Sequence, residues 1–155
     1  MRVVVPYTEL NTVTEFVLRS YRPEYVDVSG PDGYRQLFKK LWRRGETIII
    51  VEHDIVPWPG ALDELWQCPC AWGSFTYHIH GGLGIHHGFG CTKLSSRLME
   101  ETPDVWEASC GWNMLDQVLL FKARALGFEP HHHRPAVTHL NPRHWSIECL
   151  TKPHG

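Results

Sequence analysis

Thr47-Ile48-Ile49-Ile50-Val51-Glu52-His53-Asp54 decides the reading of this chain. The first five residues are all β-branched, and an unbroken β-branched run marks a strand covered on both faces, as in a parallel sheet. Two carboxylates then arrive where the strand ends. In open α/β sheets, ligands sit beyond the carboxyl ends of the strands. Glu52 and Asp54 are therefore the first candidate site residues, one expected to face a ligand pocket and the other to hold the loop or a ligand hydroxyl.

Upstream, Tyr34, Leu37, Phe38, Leu41 and Trp42 fall at helical spacing, with Arg35, Lys39, Lys40, Arg43 and Arg44 on the opposite side. Gly45 stands where a C-cap glycine belongs. Before that helix, Tyr25 to Val28 reads as a short strand and Ser29-Gly30-Pro31-Asp32-Gly33 as a turn. Val3-Val4-Val5 is a first buried strand ending at Pro6. Thr12 and Glu15 form a capping-box pattern, with Leu10, Val13, Val17 and Tyr21 at helical spacing and Pro23 closing the segment. The first third thus reads strand, helix, strand, helix, strand, a pattern that builds a parallel α/β sheet. Pro6-Tyr7-Thr8-Glu9 lies at one strand end, as Glu52-His53-Asp54 does at another.

Beyond Asp54 the expectations are a strand end at Pro57-Trp58-Pro59-Gly60, then a short helix burying Leu62, Leu65 and Trp66. A strand over Trp72 to Tyr77 and a glycine-rich loop over Gly81 to Gly90 follow. Thr92 is expected to cap a helix through Met99. Asn113 is expected to cap another helix that stops at Gly127. The tail from His131 reads as irregular, with His131-His132-His133 a solvated loop.

At 155 residues the chain is long enough for one domain, taken as 1–155, and too short for two ordinary ones. The formal net charge of -2 gives no global electrostatic reason to bind nucleic acid or an anionic membrane. No apolar run is long enough to span a bilayer and no secretory signal pattern opens the chain, so the expected location is cytoplasmic. The 5 Cys include a C-x-C pair, Cys68 and Cys70, which is neither the C-x-x-C of a zinc site nor a disulfide framework. Free thiols in or near the core are expected. The 11 His imply either loop polarity or metal and phosphate chemistry near neutral pH.

The order of these features resembles a GT-A fold nucleotide-sugar glycosyltransferase. Val3-Val4-Val5-Pro6-Tyr7 resembles the first strand of that family, whose end cradles the nucleotide. Gly33 through Asp54 resembles its helix and strand leading into an acidic metal motif, usually Asp-x-Asp and here Glu52-His53-Asp54. Gly88-Phe89-Gly90 resembles the glycine-aromatic segment before the acceptor helix. Trp112-Asn113-Met114-Leu115-Asp116 resembles the segment that supplies the catalytic base, with Leu115 where Glu is usual.

The resemblance implies a single compact α/β domain with a mostly parallel sheet flanked by helices. It implies donor-binding roles for Pro6, Tyr7, Glu9, Asp27 and Glu52, a base at Asp116, and metal ligands at Asp54 and His139. Mn²⁺ or Mg²⁺ would be the metal, because carboxylates and substrate phosphates suit hard cations and an added imidazole favours Mn²⁺. The implied reaction moves a sugar from a nucleotide diphosphate sugar to a hydroxyl on a glycan, protein, small molecule or modified nucleic acid. Two other readings stay open. One is a metal-dependent hydrolase or phosphotransferase using His78, His80, His86 and His87. The other is a non-enzymatic, zinc-stabilised binding module.

Overall fold

The computed structural model of the protein describes residues 1–79, 84–86, 88–107 and 114–140. The chain begins with β1 (Val3–Tyr7), α1 (Thr12–Leu18), β2 (Glu24–Asp27), α2 (Gly33–Arg44) and β3 (Ile48–Val51). It continues through β4 (Ile55–Pro57), α3 (Ala61–Gln67), β5 (Trp72–Phe75), β6 (Tyr77–Ile79), β7 (Gly84–His86) and β8 (Cys91–Leu94). It closes with α4 (Ser96–Glu101), α5 (Leu115–Ala125), β9 (His131–His133) and β10 (Val137–His139).

Six strands form one sheet in the order β2-β1-β3-β8-β5-β9. β1 pairs in parallel with β2 and β3, and β5 with β9, while β8 runs antiparallel to both β3 and β5. The sheet is therefore mostly parallel, with β8 alone running against its neighbours. The domain is the mixed α/β layer structure expected from the strand and helix pattern. All four residues of β3 are buried, because one face meets α2 and the other meets α3.

α2 buries Leu37, Phe38, Leu41 and Trp42, and full burial of such side chains is worth about 1.5–3 kcal/mol each. Phe38 sits against Phe89 and Trp106, with centroids 4.6 and 4.8 Å away. Gly45 ends α2 at φ 62, the left-handed conformation that favours glycine. Gly33 opens it against the backbone of Val28, where a Cβ would lie 2.6 Å from the Val28 carbonyl oxygen. That contact ties the start of α2 to the end of β2.

Several local expectations are corrected. The cap of α1 is Asn11, whose Oδ1 accepts from the backbone N–H of Val13 and Thr14, in place of a Thr12–Glu15 box. Its buried residues are Thr14 and Leu18, and Val13 is exposed, so the apolar face lies elsewhere than the spacing implied. Thr92 caps no helix. It lies in β8 between β3 and β5, accepts from Trp72 Nε1 and donates to the Gly73 carbonyl. The following helix is capped by Ser95, whose Oγ accepts from the Leu98 N–H. Ile55–Pro57 is a strand, and the region after Pro130 is not irregular: β9 adds to the main sheet and β10 pairs with β4. Short polar strands of this kind lack the alternation that betrays a strand in sequence, and pairing partners decide them. Gly127 does follow the end of α5, at φ 81. The expected cap at Asn113 lies outside the described residues.

Candidate functional site

β1, β2 and β3 run in parallel, so their carboxyl ends lie on one edge of the sheet. The β1–β3 register ends at Val4↔Ile50, two residues short of Pro6. Proline has no N–H to extend a ladder. On the β2 side the pairing continues to Tyr7↔Asp27. β3 thus parts from β1 just before Glu52, while Glu52 stays tied to the other neighbour through its N–H to the Gly90 carbonyl, 2.8 Å away.

Glu52, at the head of this turn, accepts a hydrogen bond at Oε1 from the Tyr34 hydroxyl, 2.7 Å away. The Ile55 N–H closes the turn onto the Glu52 carbonyl at 3.0 Å. β4 then pairs antiparallel with β10 in the register His139↔Ile55, Thr138↔Val56 and Val137↔Pro57. The ribbon places His139 Nε2 3.0 Å from Asp54 Oδ2, and the Leu140 N–H donates to the Asp54 carbonyl at 2.6 Å. Both side chains are about 15% exposed, sheltered yet open on one side. Tyr77 packs its ring 5.5 Å from that of His139.

The electrostatics follow from the crowding of acids. Burial above all, with the negative charges of Asp54 and Asp116 added, lifts the Glu52 carboxyl from 4.5 to about 7. The Tyr34 hydrogen bond and His139 pull the other way. Burial pushes the Tyr34 and Tyr77 phenols up, and the Glu52 and Asp54 charges add to both rises. Asp116, partly buried in the first turn of α5, is thus close enough to be felt at Glu52. Its Oδ1 also accepts from the Gln117 N–H at 2.8 Å.

The remaining expected residues line the same edge. Pro6 is buried in β1, Tyr7 is half-buried at its end, and Glu9 is exposed in the loop beyond. Asp27 ends β2 and is exposed, with Oδ1 accepting from both the Ser29 N–H and the Ser29 hydroxyl, which holds its carboxyl below the usual range. The structure therefore brings Glu52, Asp54 and His139 together, with Asp116 near enough for its charge to act on Glu52, and sets Tyr7 and Asp27 side by side on the adjoining edge. His80, His87, Trp112 and His144 lie outside the described residues, as do the side chains of His78 and His86.

Sequence reasoning missed the two tyrosines. Tyr34 reads as the first member of an apolar helical stripe, and its phenol was the overlooked signal. Tyr77 reads as the end of a strand. Gly90 gives the reason Tyr77 fits: a Cβ there would fall 2.2 Å from the Tyr77 hydroxyl.

No family model matches the chain, and no curated protein matches it. Solved structures do. A197 from STIV superposes with a TM-score of 0.63 at 11% identity, covering 98% of this chain and 92% of its own. The catalytic domain of Drosophila β1,4-galactosyltransferase 7, solved with xylobiose, gives a TM-score of 0.58 at 13% identity, covering 95% of this chain and 73% of its own. A glycosyltransferase involved in glycosylation of the major capsid of PBCV-1 gives 0.54 at 12% identity, covering 91% of this chain and 92% of its own. At these identities the likeness establishes the fold. The chain has the GT-A-like α/β fold that these two glycosyltransferase structures share, as the order of its motifs implied.

Among the described residues, no helix is long and apolar enough to cross a membrane.

Proposed function

We propose that this chain is a metal-dependent glycosyltransferase that moves a sugar from a nucleotide diphosphate sugar to a hydroxyl acceptor. One observation carries the proposal: His139 and Asp54, 3.0 Å apart, meet beside Glu52 at the carboxyl end of β3. Two ligands in adjacent positions on an octahedral ion at about 2.0–2.1 Å lie roughly 2.9–3.0 Å apart. The donor set is carboxylate and imidazole, which suits Mn²⁺ better than Mg²⁺. When bound, such an ion neutralises charge developing on a leaving diphosphate.

Under this reading the chain's own residues divide the remaining work. Asp54 and His139 hold the ion. Glu52, fixed by Tyr34, turns a carboxylate toward the donor. Pro6, Tyr7, Glu9 and Asp27 line the edge where the nucleotide would lie, and Asp27 is already held ionised by Ser29 and suited to accept from a ribose hydroxyl. Asp116 takes the proton from the acceptor hydroxyl. Its place at the start of α5, near enough for its charge to act on Glu52, supports that role.

Calorimetry with Mn²⁺ and a panel of nucleoside diphosphates tests the reading. Wild type should bind one diphosphate only with Mn²⁺ present. Asp54→Ala should weaken that binding at least about a hundredfold, beyond the roughly tenfold to hundredfold typical of losing an outer partner. A folded Asp54→Ala protein that binds as wild type does would remove Asp54 from the site.

A further inference from the structure

A second cluster lies on the sheet edge formed by β5 and β9, built from residues the candidate donor site does not use. Cys68, His131 and His133 each offer one donor atom, and those atoms all lie within 4.8 Å of one another. Among the described residues no other set of three His, Cys, Asp or Glu side chains converges in this way. Cys68 Sγ is already 3.3 Å from His131 Nδ1.

The elements explain the convergence. His131 and His133 are two apart on β9, so both project to the same face of the sheet. β9 pairs in parallel with β5 in the register Gly73↔His131 and Phe75↔His133. α3 ends at Cys68 on that same face, and the buried Lys93 ammonium holds the Cys68 carbonyl. Cys70 follows in the turn before β5, with its thiol in hydrogen-bond reach of the Cys68 thiol. Gly73 keeps the floor open, since a Cβ there would sit 3.2 Å from Cys68 Sγ and 3.3 Å from His133 Nε2.

An independent observation points to a ligand. His133 is 8% exposed, yet its Nε2 has no hydrogen-bond partner. Its other nitrogen, Nδ1, is 2.7 Å from Glu64 Oε1. A neutral imidazole that donates from Nδ1 to a carboxylate carries its lone pair on Nε2. That carboxylate–imidazole arrangement is how metal-ligating histidines are held in one tautomer. A buried lone pair without a donor is unfavourable, and a cation is the partner that satisfies it.

We propose that Cys68, Cys70, His131 and His133 bind one Zn²⁺ ion, separate from the Asp54–His139 site. Thiolate and imidazole donors in a 2+2 set select a borderline-soft ion of tetrahedral preference. Tetrahedral zinc holds sulfur at about 2.3 Å and nitrogen at about 2.0–2.1 Å, which sets donors roughly 3.3–3.8 Å apart. Rotation of the exposed His131 and half-buried Cys70 side chains would bring their donor atoms toward that spacing. The ion would staple the end of α3 to the edge strand β9, whose chain runs directly on to β10 and His139. The C-x-C and H-x-H pairs are too far apart in sequence, and individually too common, to announce the site before the fold joins them.

Metal analysis of the purified protein tests the proposal. Wild type should carry about one equivalent of zinc that survives dialysis, and a mercurial that blocks thiols should release it. Co²⁺ exchanged into the protein should show a thiolate charge-transfer band and tetrahedral visible absorption. Cys68→Ser, Cys70→Ser and His133→Gln should each weaken zinc affinity at least about tenfold, the least that losing even an outer partner of a metal ligand costs. Asp54→Ala should keep its zinc, which separates this site from the proposed Mn²⁺ site. Were a variant not to fold, the cobalt spectrum and mercurial release on wild type still decide. Wild type without zinc after expression with zinc, and without a thiolate band on adding Co²⁺, overturns the proposal. So does a Cys68–Cys70 disulfide in the native protein.

Discussion

Glu52→Gln should stabilise the metal-free protein above neutral pH. Burial, with Asp54 and Asp116 nearby, raises the Glu52 carboxyl from 4.5 to about 7 in the fold. Below pH 4.5 the folded and unfolded chains both hold the proton, and the shift has no effect. Between 4.5 and 7 the unfolded chain releases the proton while the folded one keeps it, so stability falls as pH rises through that window. Above 7 the full penalty is present. At about 1.4 kcal/mol per pH unit this amounts to roughly 3–3.5 kcal/mol, and to less than about 1 kcal/mol at pH 5. Glutamine cannot ionise, and its amide oxygen still accepts from the Tyr34 hydroxyl. The variant should therefore melt roughly 7–14 °C above wild type at pH 8 and within a few degrees of it at pH 5. The measurement is the difference between the two proteins in chelator-treated buffer, which cancels the titrating histidines common to both. A difference that is the same at pH 5 and pH 8 would refute the assignment of a buried, charge-crowded carboxyl. A second arm adds Mn²⁺ and a nucleoside diphosphate. Ligand at about a hundredfold over its dissociation constant should raise wild-type stability by about 2.7 kcal/mol.

His139→Ala should weaken Mn²⁺ binding measured with donor present by roughly tenfold or more, and flatten its loss at acid pH, because a ligating imidazole must be deprotonated. An unchanged Mn²⁺ titration would free His139 of the role. Asp116→Asn should lower turnover at saturating donor by roughly 10²–10⁴ while leaving donor affinity near wild type, since a base acts in the chemical step. Collapse of donor affinity with turnover intact would make Asp116 a binding residue. Gly90→Ala should destabilise the fold by about 1–3 kcal/mol in urea, because its Cβ would overlap the Tyr77 hydroxyl. A loss below about 0.5 kcal/mol, within the range of ordinary surface changes, would show that Tyr77 yields without cost.

What was legible in the sequence was local and apolar. The β-branched run at Ile48–Val51, the amphipathic stripe of α2 and its closing Gly45 each carry their own structural signal, and the sheet they predict is present. Glu52 and Asp54 followed from the end of such a strand. What was not legible depends on pairing between distant segments. β9 is a run of three histidines, and only its register with Gly73 to Phe75 makes it a strand. β10 exists because it pairs with β4, and neither three-residue segment shows a period. The phenol of Tyr34 is hidden inside an apolar stripe until the fold sets Glu52 over it.

The same dependence explains how the fold tolerates the site. Glu52, Asp54 and Asp116 come from β3's end and from the first turn of α5, and their mutual repulsion adds to a desolvation cost that burial already imposes at Glu52. Neither the packing of the core nor the strand pairing requires three acids there. Apolar or amide side chains would fill the space at lower electrostatic cost, which is the logic of Glu52→Gln. His139 offsets part of the charge, but one imidazole does not balance three carboxylates. A divalent cation would, and its charge would dominate the local titrations, drawing the Glu52 carboxyl back toward its ordinary range. Carboxylates held together against their own repulsion at a strand end are a mark of a working site more often than of a structural one. On that argument the instability of the metal-free site is the reason to expect it to bind metal. The β4–β10 ribbon, by holding His139 Nε2 3.0 Å from Asp54 Oδ2, sets the spacing that the proposed ion would need.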